Sequence, residues 1–327
     1  MLIISQSEVE RLLPVKPCVA IMRGAMLATS RRDVSLPIRQ YLAVPGVPGK
    51  LALMPGALGD PACFGIKLVC KYERSHDDVL GSHVGMVLLF DSHRGVPLAM
   101  IEGSSLTAIR TSAASTLATD VLARKDSTRL AIIGNGEQAA RHIHAMRAVR
   151  SIATVSVWGR DSERAAQFAQ RMAAMTHLPV VAHCDIEAAV AGADIICTTT
   201  AAKAPLLRGA LLEPGMHLNL VGSAIATTAE VDDEAVARAR YFVDYREAAL
   251  AAAGELLAAI NNRVISKSHI VGEIGEVIAG DVSGRQDARQ ITIYKSLGVA
   301  SQDLAAAYAV WHAAQAQGMG VSIDLLA

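Results

Sequence analysis

Apolar positions along the chain fall into two regimes. Up to about residue 100 they form short runs broken by turns. "GMVLLFD" (85–91) closes at the turn "SHRG" and "PLAMIEG" (97–103) returns from it, which predicts a hairpin. "SLTAIRTSAASTLATDVLA" (105–123) then spaces Leu, Ile and Val at helical intervals among small residues, and predicts one long helix. After "RKDST" the pattern becomes an alternation. "RLAIIG", "TVSVWG", "VVAH", "DIICTTT", "MHLNLVG" and "YFVDY" read as strands, and "EQAARHIHAMRAV", "DSERAAQFAQRMAAM", "DIEAAVAGA" and "DDEAVARAR" as helices. Strands alternating with helices at this spacing imply an α/β fold, a doubly wound parallel sheet of Rossmann type covered on both faces. "SLGVASQDLAAAYAVWHAAQAQG" (296–318) predicts a final helix.

The first strand of the alternation ends in Gly134-Asn135-Gly136-Glu137-Gln138-Ala139, and a helix follows. A Gly-x-Gly-x-x-Ala turn in that place fits a dinucleotide. The first glycine permits the tight turn, the second lets a pyrophosphate approach the backbone, and the small third residue packs helix against strand. Free amides at the helix start face the phosphates. At the end of the second strand an NAD-binding fold usually places Asp or Glu for the ribose 2′-hydroxyl. Here Gly159 and Arg160 stand there, with Ser162 and Arg164 nearby. Without the carboxylate, and with the two-pronged donors of Arg160, NADP(H) is expected in preference to NAD(H). Asp161 would remove that preference if it took the ribose instead.

Composition narrows the partners. The 327 residues are 52% hydrophobic, enough for a sizeable core, and 31 Lys plus Arg balance 31 Asp plus Glu. That balance speaks against a nucleic-acid partner. The start, "MLIISQSEVERLLP", lacks the basic and apolar regions of a signal peptide, and no apolar run reaches eighteen residues, so neither export nor a membrane is expected. Cys18, Cys63, Cys70, Cys184 and Cys197 form no C-x-x-C pair, which suggests free thiols in a reducing cytoplasm. His142 and His144 lie two apart on a helix, about 200° around it, and cannot share a metal. No metal is expected.

Three cations outside the alternating region stand in unusual settings. Arg39 follows "VSLPI", Lys67 sits in "FGIKLV", and Arg110 in "LTAIRTSAAS". A charge in such surroundings needs a partner. A substrate carboxylate would serve Lys67 and Arg110; ion pairs with Glu102, Asp91 or another acid would serve equally.

"GIKLV", "GMVLLFDSHRGVPLAMIEGSSLTAIRTSAASTLATDVLA", "IIGNGEQAARH" and "SLGVASQDLAAA" together resemble the ornithine cyclodeaminase/mu-crystallin family over nearly the whole chain. The resemblance implies a Rossmann domain (121–301) and an α+β substrate-binding and dimerisation domain made of 1–120 with 302–327. It implies a homodimer. It places Arg39, Lys67 and Arg110 on the substrate's α-carboxylate, with Lys67 catalytic, near the reacting carbon and nitrogen. It brings "YKSLG", with Ser296 and Gly298, over the nicotinamide; Thr111 is a further expected cofactor contact. His83 and Ser223 are candidates for the substrate pocket.

Two departures redirect the reading. Cyclodeaminating members carry an aspartate where "LNLVGSAIATTAEVDDE" has Ala224, and the family's "V-x-x-x-P-x-N" is replaced by "VCKYERSHDD". The Gly-Arg strand end resembles the imine-reducing branch. The expected function is therefore NAD(P)H-dependent reduction of a small cyclic imino acid, Δ1-pyrroline-2-carboxylate or Δ1-piperideine-2-carboxylate, to L-proline or L-pipecolate. Ornithine cyclodeamination, another amino-acid dehydrogenase, and a protein that holds NADPH without turnover are the alternatives.

Overall fold

The computed structural model describes residues 1–72 and 83–325, with His83 described by its backbone alone. The chain divides into two compact units, residues 1–110 with 298–327, and residues 111–297.

The first unit opens with β1 (Leu2–Ile4), α1 (Gln6–Leu12) and α2 (Val15–Ser30). β2 (Val34–Ser35), β3 (Gln40–Ala43), β4 (Gly49–Leu58), β5 (Cys63–Tyr72), β6 (His83–Asp91) and β7 (Pro97–Glu102) follow. α3 (Gly103–Leu122) leads into the second unit. That unit contains β8 (Arg129–Ile133), α4 (Glu137–Met146), β9 (Thr154–Trp158), α5 (Ser162–Thr176), β10 (Val180–His183), α6 (Ile186–Val190), β11 (Ile195–Thr198) and β12 (His217–Leu220). It continues with α7 (Asp233–Arg238), β13 (Ala239–Val243), α8 (Arg246–Ala252), α9 (Gly254–Asn261), β14 (Ile270–Glu273), α10 (Ile274–Ala279) and β15 (Ile291–Lys295). α11 (Ala300–Gln317) and β16 (Val321–Ser322) return to the first unit.

The second unit is the predicted doubly wound sheet. Its order is β10-β9-β8-β11-β12-β15-β13-β14, and its pairings are parallel. β8 shows why its residues read as one apolar run. Leu130 and Ile132 pack with Ile143 and Met146 of α4 and Phe168 of α5, while Ala131 and Ile133 join a core with Val236 and Leu256. Both faces are covered, so neither is polar. The chain winds outward from β8 to β10, then crosses to β11 on the other side of β8. Ligands of such sheets bind beyond the strands' C-terminal ends at this reversal.

The first unit is built on a mixed sheet, β16-β1-β7-β6-β5-β4-β2, with β3 also on β4. The predicted β6–β7 hairpin and the long helix α3 are present. α11 packs on β4 and β5. Gly56 and Gly65, paired across those strands, permit the approach: added Cβ atoms would lie 2.8 Å from Ala300 Cβ and 2.9 Å from Leu304 Cδ2. Lys67 is the next residue of β5 on that inward face. The opposite face carries the cross-strand pairs Leu53–Leu68, Ile66–Leu88 and Phe64–Phe90, all half-buried or exposed, with the two phenylalanine rings stacked.

Helix boundaries differ from expectation. The expected helix "DDEAVARAR" ends at Arg238, with Ala239 and Arg240 in β13, and the last helix starts late. Residues 296–299 have no regular secondary structure, and α11 begins at Ala300 rather than at Ser296. The Ser296 amide donates to the Leu220 carbonyl and the Leu297 amide to Asp244 Oδ2. Gly298 then takes the left-handed conformation (φ +74°). A left-handed residue cannot continue a right-handed helix, so α11 starts only after Gly298. Among the described residues, no single helix is long and apolar enough to cross a membrane.

Candidate functional site

The glycine turn stands at the end of β8, at the reversal of the second sheet. Gly134 is left-handed (φ +125°), and its amide donates to the Trp158 carbonyl of β9. A Cβ there would lie 2.9 Å from the Thr199 carbonyl oxygen, so only glycine fits. Gly136 caps α4 in ordinary extended backbone, and a Cβ added to it would meet nothing within 4 Å. The glycine therefore leaves open space at a helix start whose first amides have no acceptors within the helix. Glu137 is exposed there, Asn135 and Gln138 are half-buried, and Ala139 is fully buried against the sheet. This cradle fits a pyrophosphate.

Gly159 is buried, and its Cβ would come within 3.0 Å of the Asn135 side chain. Arg160 and Ser162 are exposed beyond it. Asp161 caps α5, accepting from the Arg164 amide at 3.0 Å, with the Arg164 side chain 3.7 Å away. Thr111 and Ser296 are buried in the same unit. Ser223, expected in the substrate pocket, spends its hydroxyl on its own loop, bonding the carbonyl and the hydroxyl of Thr228. Its carbonyl accepts from the buried Lys295, which is also 2.8 Å from Glu255.

Glu230 is a hub that sequence reasoning missed. Its buried carboxylate accepts from the Thr198 hydroxyl, the amide and hydroxyl of Thr200, and the amides of Gly222 and Ser223. It ties the loop after β11 to the loop after β12. Ala224, at the start of the latter, packs partly buried against the core.

The first unit gathers the three cations. Lys67 and Arg110 are each 3% exposed. Their partner is neither Glu102, which accepts from the Ser104 and Ser105 amides at the start of α3, nor Asp91, which accepts from the turn amides of His93 and Arg94. It is Asp303 of α11. One oxygen, Oδ1, lies 2.7 Å from Lys67 Nζ and 2.8 Å from Arg110 Nε. Gln302 Oε1 accepts from the Arg110 guanidinium at 2.9 Å. Of the two alternatives open in the sequence, the ion pair with another acid of the chain is present, and that acid is Asp303. With Lys67 protonated, Lys67 plus Arg110 against Asp303 leaves one positive charge.

Arg39 is half-buried and donates to the Gly298 carbonyl at 3.0 Å. An added Gly298 Cβ would lie 2.8 Å from the Arg110 guanidinium nitrogens. Gly298, expected at the cofactor, therefore lies between the two arginines. His83 opens β6, and its side chain is outside the described residues, as are residues 73–78 of "VCKYERSHDD". Sequence reasoning missed Asp303; the signal that could have found it is that it is the single acid of α11.

Electrostatics follow from this packing. Burial, reinforced by Arg110, pulls Lys67 down to about 7 against the opposing pull of Asp303. Burial pushes the Asp303 carboxyl up, but Arg110 and Lys67 overcome it and hold it below its usual range. His142 is a core residue, bonded to the Gln138 carbonyl and the Ser115 hydroxyl, and burial lowers it to about 4. Among the described residues, no group of three His, Cys, Asp or Glu side chains is placed to hold a metal ion.

A glycine turn at the reversal of a parallel sheet, joined to a unit with a buried cation cluster, defines a two-unit dinucleotide-binding protein. The chain belongs to the ornithine cyclodeaminase/mu-crystallin family, whose model matches residues 1–318. It is 35% identical over 325 residues to Delta(1)-pyrroline-2-carboxylate reductase of Bacillus cereus, covering 99% of this chain and 100% of that one. The solved structure of Thermococcus litoralis Delta(1)-pyrroline-2-carboxylate reductase in complex with NADH and L-proline superposes with TM-score 0.95 at 32% identity, covering 99% of this chain and 100% of that chain. An archaeal alanine dehydrogenase dimer with bound NAD gives TM-score 0.93 at 30% identity, covering 100% and 99%.

Proposed function

We propose that the chain is an NAD(P)H-dependent reductase of a small cyclic imino acid, Δ1-pyrroline-2-carboxylate or Δ1-piperideine-2-carboxylate, forming L-proline or L-pipecolate. The observation that carries the reading is the Lys67–Arg110–Asp303 cluster. Two buried cations on one buried acid keep a surplus positive charge for a substrate carboxylate. The two reductase relatives support the substrate class.

Gly134, Gly136 and the first turn of α4 would hold the dinucleotide, which supplies hydride when bound. Arg39, Lys67 and Arg110 grip the substrate's carboxylate. A carboxylate held by several fixed donors orients the attached imine carbon, and such orientation is worth several powers of ten in rate. Lys67 donates a proton to the imine nitrogen as hydride reaches the adjacent carbon. Its lowered pKa suits a group that gives up a proton near neutrality.

NADPH is the preferred cofactor in this reading, because Arg160 stands exposed where NAD-specific folds place an acid. The active form is a homodimer, supported by the outward apolar face of the β4–β6 sheet and by the dimeric archaeal relative. Five unpaired cysteines agree with a reducing cytoplasm. Ala224 offers no carboxylate for a side-chain amine, which disfavours ornithine as substrate.

The test is a spectrophotometric screen of cyclic imino acids with NADPH and NADH. A substrate-dependent fall in absorbance is expected. Ammonia release from ornithine with no such fall would replace this reading with cyclodeamination.

A further inference from the structure

Asp303 lies at the centre of the buried cation cluster. It is fully buried, in the first turn of α11, where the helix dipole favours an anion. It meets Lys67 from β5 and Arg110 from α3, so three separate elements converge on one carboxylate. Both cations use Oδ1, and Oδ2 has no hydrogen-bond partner among the described residues. A carboxylate ordinarily distributes its acceptors over both oxygens. Here one oxygen draws an ammonium and a guanidinium to the same point. Gln302, one residue earlier, holds another nitrogen of Arg110 and so fixes the guanidinium's plane.

We propose that Asp303 is the positioning residue of the reduction: by binding the Lys67 ammonium and the Arg110 guanidinium on one oxygen it keeps Lys67 charged and aimed as the proton donor. The proposal rests on the imino-acid reductase reading. In the step it serves, the imine carbon takes the hydride that a bound reduced nicotinamide dinucleotide would supply from its own breaking C–H bond, and the C=N π pair moves to nitrogen. Nitrogen takes a proton from Lys67 Nζ. Lys67 is left neutral and regains a proton from solvent.

The charges around Lys67 show why a carboxylate is needed. Arg110 on α3 and Arg39 ahead of β3 both disfavour a third positive charge, as does burial itself. Cys18 on α2, close to Arg110, is pushed up to about 12 by burial and stays neutral. Across the strand pairs Lys67 faces Met54 and Val87, which carry no charge. Asp303 is the acid that opposes the sum.

The experiment compares wild type with Asp303→Asn and Asp303→Glu. Thermal unfolding and cofactor titration establish that each variant is folded and loaded. For Asp303→Asn we expect kcat/KM to fall by about 100-fold, and the alkaline limb of its pH profile to move at least about one unit toward acid. Asp303→Glu restores the limb and part of the rate, and carries the test alone if the asparagine variant does not fold. A second measurement needs no turnover. Competitive acetylation by acetic anhydride across pH, read by peptide mass spectrometry, reports the titration of Lys67 directly. It should shift toward acid in Asp303→Asn. A uniform loss of rate with an unmoved limb and unmoved labelling overturns the proposal and leaves Asp303 a structural residue. Shifted labelling in a protein that reduces no imino acid leaves Asp303's hold on Lys67 standing and removes the reductase reading instead.

Discussion

Gly134 and Gly136 sit two residues apart on one turn, and only the first is required by the fold. A Cβ on Gly134 would strike the Thr199 backbone at a left-handed φ, whereas a Cβ on Gly136 would enter open space. Their substitutions should therefore separate. Gly134→Ala is expected to destabilise the protein by about 1–3 kcal/mol, read by chemical denaturation. Gly136→Val should leave the unfolding midpoint nearly unchanged while weakening cofactor binding by at least roughly tenfold, read by fluorescence titration. Equal binding in the valine variant would place the phosphates elsewhere.

In the proposed reaction Lys67 controls the pH dependence. A lysine ordinarily stays protonated to beyond pH 10, and burial brings this one to about 7. Its charged form acts as the acid, so activity is present below that pH and is lost as pH rises through it. kcat/KM should fall about tenfold per unit on the alkaline side. A bound substrate carboxylate adds negative charge beside Nζ and raises its pKa, so the limb in kcat should lie at higher pH than the limb in kcat/KM. Coincident limbs would remove the carboxylate from Lys67.

Lys67→Met keeps the length of the side chain and removes its proton and charge. Turnover should drop by three orders of magnitude or about that, with NADPH affinity within about twofold of wild type. The control is the unfolding midpoint, since Arg110 still pairs with Asp303 in the variant. Full activity would take lysine out of the chemistry.

Arg160 is exposed, so its replacement should not disturb packing. Arg160→Ala is expected to raise KM for NADPH about tenfold and leave KM for NADH unchanged, as loss of one charged contact to a 2′-phosphate requires. Steady-state kinetics with both cofactors decide. A parallel rise with both would mean that Arg160 touches a part common to the two.

The outer sheet face offers a separate test. Leu88 lies on β6 between Ile66 of β5 and Met100 of β7. If the proposed homodimer forms through this face, Leu88→Arg should convert it to monomer at micromolar concentration, because an unpaired charge in an apolar interface is strongly destabilising. Sedimentation velocity gives the state. Cofactor affinity should be retained, since the glycine turn belongs to the other unit. A variant that stays dimeric would move the interface off this face.

The chain's own pattern determined the second unit from β8 to β13, while α8, α9, β14, α10 and β15, between residues 246 and 295, carried no pattern that was read. Strands buried on both faces leave uninterrupted apolar runs, and a glycine turn at a strand–helix junction has one backbone solution, so both are written locally. The hairpin β6–β7 and helix α3 were legible for the same reason. The partner of Lys67 was not. Lys67 and Asp303 are 236 residues apart, and period and spacing carry no information over such a distance. Glu102 and Asp91 were plausible partners by proximity in sequence, yet each was taken by backbone amides at its own turn or helix start. Only the packing of α11 on Gly56 and Gly65 brings Asp303 to β5, and only the folded chain shows that one oxygen serves two cations. Local order came from backbone preference and burial pattern; the electrostatics of the candidate site came from which helix closed over which strand.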